Sequence, residues 1–155
     1  MAENIYNVSP IGRVKCPVTE MSQGNWAKID SEIQLEPRYA AGLQGLEQFS
    51  HLLVVFFLDR AQDFDLAKQL LRKPRGMQHL DAVGVFAQRT KYRPNPIGVT
   101  AVKLLGIDGN IVKVRGLDAL DGTPVLDLKP YMPPFDRMED VHMPPWVVNF
   151  IDGYF

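Results

Sequence analysis

The sequence predicts a mainly β fold, a small antiparallel β barrel with one or two short helices. Three observations carry that expectation. Short runs of β-branched and aromatic residues recur along the chain, Asp108-Gly109-Asn110 is a strong hairpin signal, and helix formers are confined to brief stretches broken by glycine or proline.

The elements follow in order. Ile5–Val14 reads as a first strand interrupted at Ser9-Pro10, and a polar loop, Cys16–Trp26, comes next. Ile29–Glu36 alternates through Ile33 and Leu35 and predicts a strand. Pro37 opens "PRYAAGLQGLEQF", whose two glycines predict one short helix or two turns. Leu52–Leu58 is continuously apolar and predicts a strand buried on both faces. Periodicity leaves Asp63–Leu71 open between a short helix and an edge strand, and Val83–Gln88 reads as a strand. Ile97–Ile107 and Ile111–Leu117 flank the hairpin turn. Val125–Lys129 is a further strand before a proline-rich loop, and Trp146–Ile151 closes the chain as a strand or short helix.

Composition limits the function. At 155 residues the chain fits one domain, and its 46% apolar and 23% charged content is that of a globular protein. A net charge of −1 gives no global sign of nucleic-acid binding, so such a role needs a local patch. Cys16 is the single cysteine, which rules out an internal disulfide and suits a reducing cytoplasm. Residues 1–10 lack the basic start and apolar run of a signal peptide, and "LLVVFFL" is too short to cross a bilayer. A cytoplasmic protein without a membrane segment is expected.

A local patch exists. Arg72, Lys73, Arg75, Arg89, Lys91 and Arg93 lie within 22 residues against one acid, Asp81, and make up six of the 17 basic residues. Such a cluster can neutralise phosphates, and Tyr92 within it can stack on a base. A plainer role is a solvated loop whose charges protect a strand edge. Pro94 and Pro96 tip the balance toward binding, because they stiffen the chain around Asn95 and a preset loop costs less to order on a ligand.

A second candidate is "GLDALDGTPVLDLKPY", with Asp118, Asp121 and Asp127 close together. Asp121-Gly122 suits a tight turn, and Asp127 with Lys129 suits the wet face of a strand. Asp118 ends a strand, where a carboxylate can point into a barrel mouth and accept hydroxyl or ammonium donors. Asp59-Arg60, taken alone, reads as charges marking the exit of the buried strand. His51, His79 and His142 are too scattered for a metal motif, and Cys16 lacks the setting of a nucleophile. Neither a GxGxxG after a strand nor a GxxxxGK[ST] occurs, so a Rossmann cofactor site and a P-loop have no foothold.

"GVFAQRTKYRPNPIGVTAVKL" followed by "LDALDGTPVLDLKPY" resembles the signature pair of the TsaA-like/TrmO family, and "LEQFSHLLVVFFLDR" resembles its third block. The similarity runs from "SPIG" to "WVV" and implies one TsaA-like β-barrel domain over residues 1–155. It also implies a non-Rossmann methyltransferase that uses S-adenosylmethionine to methylate N6-threonylcarbamoyladenosine beside the tRNA anticodon, working as a homodimer with cofactor near the interface.

At matching positions the resemblance gives roles. It places Asp59, Arg60, Arg89, Val99, Asp118, Ala119, Leu120 and Asp121 at the cofactor, reversing the plain reading of Asp59-Arg60. A loop around Met21–Gln23 corresponds to a further cofactor contact. Lys91, Arg93 and Asn95 become candidates for substrate binding, and Asp121, Asp118 and Tyr92 for the proton acceptor. Two departures stand out: Thr90-Lys91 occupies a place where the family often has Ser-Pro, and some members carry an additional domain after the barrel. A different methyl acceptor, or a non-catalytic RNA- or nucleotide-binding module, are the alternative readings.

Overall fold

The computed structural model describes residues 3–20, 24–61 and 63–155. Six strands form a closed antiparallel barrel: β1 (Gly12–Lys15), β2 (Asp30–Leu35), β3 (His51–Phe57), β6 (Ile97–Asp108), β7 (Ile111–Arg115) and β8 (Pro124–Pro130), in the spatial order β1-β2-β7-β6-β3-β8. Outside it, β4 (Leu71–Arg72) and β5 (Val83–Gly84) form a two-stranded ribbon. The helices are short: α1 (Leu66–Gln69), α2 (Pro133–Asp136) and α3 (Pro145–Ile151). Among the described residues no helix is long and apolar enough to cross a membrane.

Alternation builds the core. Val14 faces Ile33, Ile33 faces Val112, Leu52 faces Val102 and Phe56 faces Val125 across neighbouring strands. These side chains are all at most 3% exposed and fill the barrel interior. Each full burial of such a side chain is worth about 1.5–3 kcal/mol relative to leaving it in water. The sheet closes with the help of two register shifts. Leu105 is an extra residue between the Leu104–Val114 and Gly106–Lys113 pairs, and β3 shifts against β8 between Val55 and Phe56. Bulges of this kind increase local twist, and closure leaves the barrel no free edge.

The hairpin forms where expected, with Asp108 paired to Ile111 around Gly109-Asn110. The Pro37 stretch resolves into two 3₁₀ turns, Pro37–Leu43 and Leu46–Gln48. Asp63–Leu71 contains both options, α1 and then the start of β4; the Asp65 carboxylate caps α1 by accepting from the Ala67 N–H at 2.9 Å. Trp146–Ile151 is helical within α3.

Three expectations are corrected. Leu52–Leu58 is not buried on both faces: Leu52, Val54 and Phe56 point inward, while Leu53, Val55 and Phe57 are only half-covered, because a barrel has one interior. The strand expected over Ile5–Val14 begins only at Gly12, after Pro10, whose nitrogen cannot donate to a ladder; Ile5, Tyr6 and Val8 are exposed. Val83–Gln88 is a strand only at Val83–Gly84. The Gln88 side-chain amide donates to the carbonyls of Arg72 and Val83, at 3.0 and 3.1 Å, and the chain turns through Val85–Ala87.

Candidate functional site

The candidate site lies at one rim of the barrel. β3 exits there, β6 enters with Ile97 opposite Phe57, and β8 begins with Pro124 opposite Arg13 of β1. β7 runs on past Arg115 into the acidic loop Asp118–Asp121. The loop closes as a turn, the Thr123 N–H donating to the Leu120 carbonyl at 3.1 Å, with Gly122 at φ 82° supplying the left-handed position.

Asp118 is half-buried and has both carboxylate oxygens engaged. The buried Thr100 hydroxyl, on β6, donates to Oδ1, and the Tyr154 hydroxyl donates to Oδ2 at 2.6 Å. Burial first, then the hydrogen bond and the negative charge of Asp118, push the Tyr154 phenol far above its ordinary value. Arg75 and Arg89 pull the other way without reversing the shift. The phenol therefore stays protonated and remains a donor.

Two arginines hold the backbone of the neighbouring segments. Arg89 Nη2 donates to the Val99 carbonyl at 2.6 Å, one residue before Thr100. Arg60, just beyond β3, donates through Nη1 to the Thr19 carbonyl and through Nη2 to the Asp121 carbonyl, both at 2.7 Å. The Asp121 Oδ1 accepts from the Cys16 N–H at 3.0 Å, and its own N–H donates to the Val18 carbonyl at 2.8 Å. The Cys16 thiol is buried against the carbonyls of Val18 and Ala119, both at 3.4 Å, and burial raises its pKa above the ordinary thiol value.

The structure thus brings Arg60, Arg89, Val99 and the run Asp118–Ala119–Leu120–Asp121 to one barrel mouth. Asp59 follows on the same exit, exposed, with its N–H donating to the Phe57 carbonyl at 3.0 Å. The Met21–Gln23 loop lies outside the described residues. Asp127 stands apart in an ion pair with Lys129 at 2.7 Å on β8.

The basic stretch divides into different roles. Arg93 is half-buried and its Nη1 lies within hydrogen-bonding range of the carbonyls of Val85, Gln88 and Thr90, the closest being Gln88 at 2.7 Å. Tyr92 lies under the Arg72 guanidinium at 4.2 Å, with the Lys91 ammonium 5.3 Å from the same ring. Asn95 is exposed at the loop tip, and its carbonyl accepts from the Ile97 N–H at 2.8 Å across Pro96. Among the described residues none of the six cations pairs with a carboxylate, so their charge is not neutralised locally.

Sequence reasoning missed Thr100 and Tyr154, and it read Arg75 only as part of the basic patch. Thr100 carried a signal, being polar at an inward position of β6, where a buried hydroxyl demands a partner. Tyr154 carried none, since its partner is 36 positions away.

Residues 15–137 match the tRNA-methyltransferase O N-terminal domain family. The chain belongs to the TrmO family. Among its relatives, a probable S-adenosyl-L-methionine-binding protein of Methanothermobacter thermautotrophicus is 40% identical over 89% of this chain and 98% of its own length. One of Pyrococcus abyssi is 40% identical over 86% of this chain and 72% of its own. The human tRNA (adenine(37)-N6)-methyltransferase is 38% identical over 66% of this chain and 22% of its own length. A crystal structure of TrmO from Pseudomonas aeruginosa superposes with a TM-score of 0.71 at 33% identity, covering 90% of this chain and 62% of that one. The chain therefore spans under two thirds of the solved TrmO chain.

Proposed function

We propose that the chain is an S-adenosyl-L-methionine-dependent methyltransferase whose acceptor is N6 of threonylcarbamoyladenosine beside the tRNA anticodon. In this reading residues 1–155 act as one barrel domain, paired as a homodimer in the cytoplasm. The observation that carries it is the convergence of Arg60, Arg89 and Asp118–Asp121 on one barrel mouth, inside the segment that matches the TrmO family.

The residues fit the cofactor. Asp118 is a half-buried carboxylate with lone pairs left after its two hydroxyl partners, suited to an ammonium or ribose hydroxyls. Arg89 uses one amine on Val99 and has others to meet a carboxylate. When bound, S-adenosyl-L-methionine supplies a methyl group on a positively charged sulfur. The protein's part is to align an acceptor nitrogen with that methyl and to take up its proton, and most of the rate comes from positioning.

Of the three candidate proton acceptors, Asp121 keeps one carboxylate oxygen without a partner among the described residues. Asp118 has both oxygens engaged, and the Tyr92 ring is covered by Arg72. This favours Asp121. Lys91 and Arg72, together with the exposed tip at Asn95, meet substrate phosphates, while Arg93 shapes the loop from within.

The test is calorimetric titration of S-adenosyl-L-methionine into the protein, Arg89→Ala and Asp118→Ala, followed by turnover on tRNA bearing threonylcarbamoyladenosine. Saturable binding weakened in both variants, with methyl transfer, supports the reading. Asp121→Asn should then lose at least about 100-fold in kcat measured at saturating cofactor. Binding without transfer to this tRNA moves the acceptor elsewhere, and no binding at all makes the chain an RNA-docking module.

A further inference from the structure

The closing segment folds back onto the barrel mouth. After α3, the Gly153 and Tyr154 carbonyls accept from the N–H groups of Asn25 and Trp26, both at 3.1 Å. The approach is close enough that a Cβ on Gly24 would lie 2.2 Å from the Gly153 oxygen. The Arg75 guanidinium covers the Phe150 ring at 4.4 Å and lies 5.6 Å from the Tyr154 ring, and Phe155 packs edge-on against Tyr154 at 4.8 Å. Arg75 itself takes a left-handed φ of 48°, a strained conformation for a non-glycine residue that persists only where its surroundings hold it.

We infer that Tyr154 is a positioning residue for the cofactor site, acting through Asp118. The inference rests on reading Asp118 as a cofactor ligand. Asp118 sits in a loop, where its carboxylate is free to rotate unless both oxygens are held. Thr100 holds one from the rigid strand β6, and Tyr154 holds the other from the folded-back segment. Each oxygen keeps a second lone pair for a ligand donor. The ordering cost of aiming the carboxylate is then met in the fold rather than at binding. The half-buried phenol keeps its proton, so it stays a donor at working pH. Two main-chain hydrogen bonds, the close contact at Gly24 and the Arg75 stack describe a built-in brace rather than a latch that the cofactor must displace.

The experiment is a calorimetric titration of S-adenosyl-L-methionine into the full chain, Tyr154→Phe, Asp118→Ala, the double variant and Phe155→Ala. Tyr154→Phe should weaken binding by about five- to tenfold, the size of one ordinary hydrogen bond's net contribution, because Thr100 still holds the other oxygen. The double variant should bind no more weakly than Asp118→Ala alone, because both changes remove one unit. Phe155→Ala, which disturbs the same packing, should lower the melting temperature and leave affinity unchanged. In turnover on tRNA, Tyr154→Phe should raise the cofactor KM by the same about five- to tenfold and leave kcat within about twofold. Unchanged or tighter binding in Tyr154→Phe overturns the brace, as does a fully additive double variant. No binding to the parent chain, or no loss in Asp118→Ala, overturns the reading of Asp118 itself and the brace falls with it.

Discussion

Arg60 and Asp121 are joined through the main chain: the guanidinium of one holds the carbonyl of the other at 2.7 Å, 61 positions away, while also holding Thr19. One side chain thereby ties the exit of β3 to the acidic turn and to the loop after β1. Arg60→Ala should lower stability by about 1–2 kcal/mol in urea unfolding. Arg60→Lys should recover little of it, since one ammonium cannot span both carbonyls as a planar fork does.

Gly98 lies beneath the Phe56 ring, where an added Cβ would fall 2.5 Å from a ring carbon. Phe56 is 3% exposed and has no room to retreat. Gly98→Ala should cost about 1–3 kcal/mol by overpacking. Adding Phe56→Leu should recover part of that loss in thermal unfolding, whereas Phe56→Leu alone is destabilising.

Arg115 meets Asp30 with two hydrogen bonds, at 2.6 and 3.0 Å, and holds its carboxyl below the usual carboxylate value. A depressed folded-state value stabilises above the unfolded value of about 3.9 and is lost as pH falls through the folded value. Asp30→Asn should therefore lower the melting temperature slightly at neutral pH, with the difference from the parent closing as pH falls through the depressed folded value. Both side chains are exposed, so added salt should shrink the neutral-pH difference as well.

Burial raises the Cys16 thiol, with the Asp121 charge adding to the shift. At about pH 8.5, where an ordinary thiol is half ionised, Cys16 should stay protonated. Alkylation by iodoacetamide should run at least about tenfold slower in native protein than in urea-unfolded protein. Asp121→Asn should change that ratio less than unfolding does, because burial is the larger cause.

Lys91 and Arg93 should separate in binding assays although they are neighbours. Lys91→Ala should weaken tRNA binding about three- to tenfold and reduce the slope of log affinity against log salt by about 1. Arg93→Ala removes the guanidinium seated among the Val85, Gln88 and Thr90 carbonyls. Its main effect should be a lower melting temperature, measured without RNA.

What was legible in the sequence was what short-range chemistry dictates. The turn at Asp108-Gly109-Asn110, the turn at Asp121-Gly122 and the alternation through Ile33 and Leu35 each depend on a few adjacent residues. Leu52–Leu58 announced a strand but not its exposure, because apolar residues also cover the half-buried outer face at Leu53, Val55 and Phe57. The acidic run drew notice through its carboxylates and its resemblance to a family block. The way Asp118 is held could not be read, since it depends on Tyr154 returning from the far end of the described chain. The seating of Arg93 was hidden for a different reason: its acceptors are carbonyls, which every residue carries.

Arginines 13, 60, 89 and 93 all end on main-chain carbonyls, those of Gly122, of Thr19 and Asp121, of Val99, and of the Val85–Thr90 loop. A peptide oxygen survives nearly any replacement of the side chain beside it. A saturation survey of this chain would accordingly register the donors and pass over partners such as Thr19 and Val99. The outline of the opening is inscribed on one side of each contact only, and the other side stays free to drift.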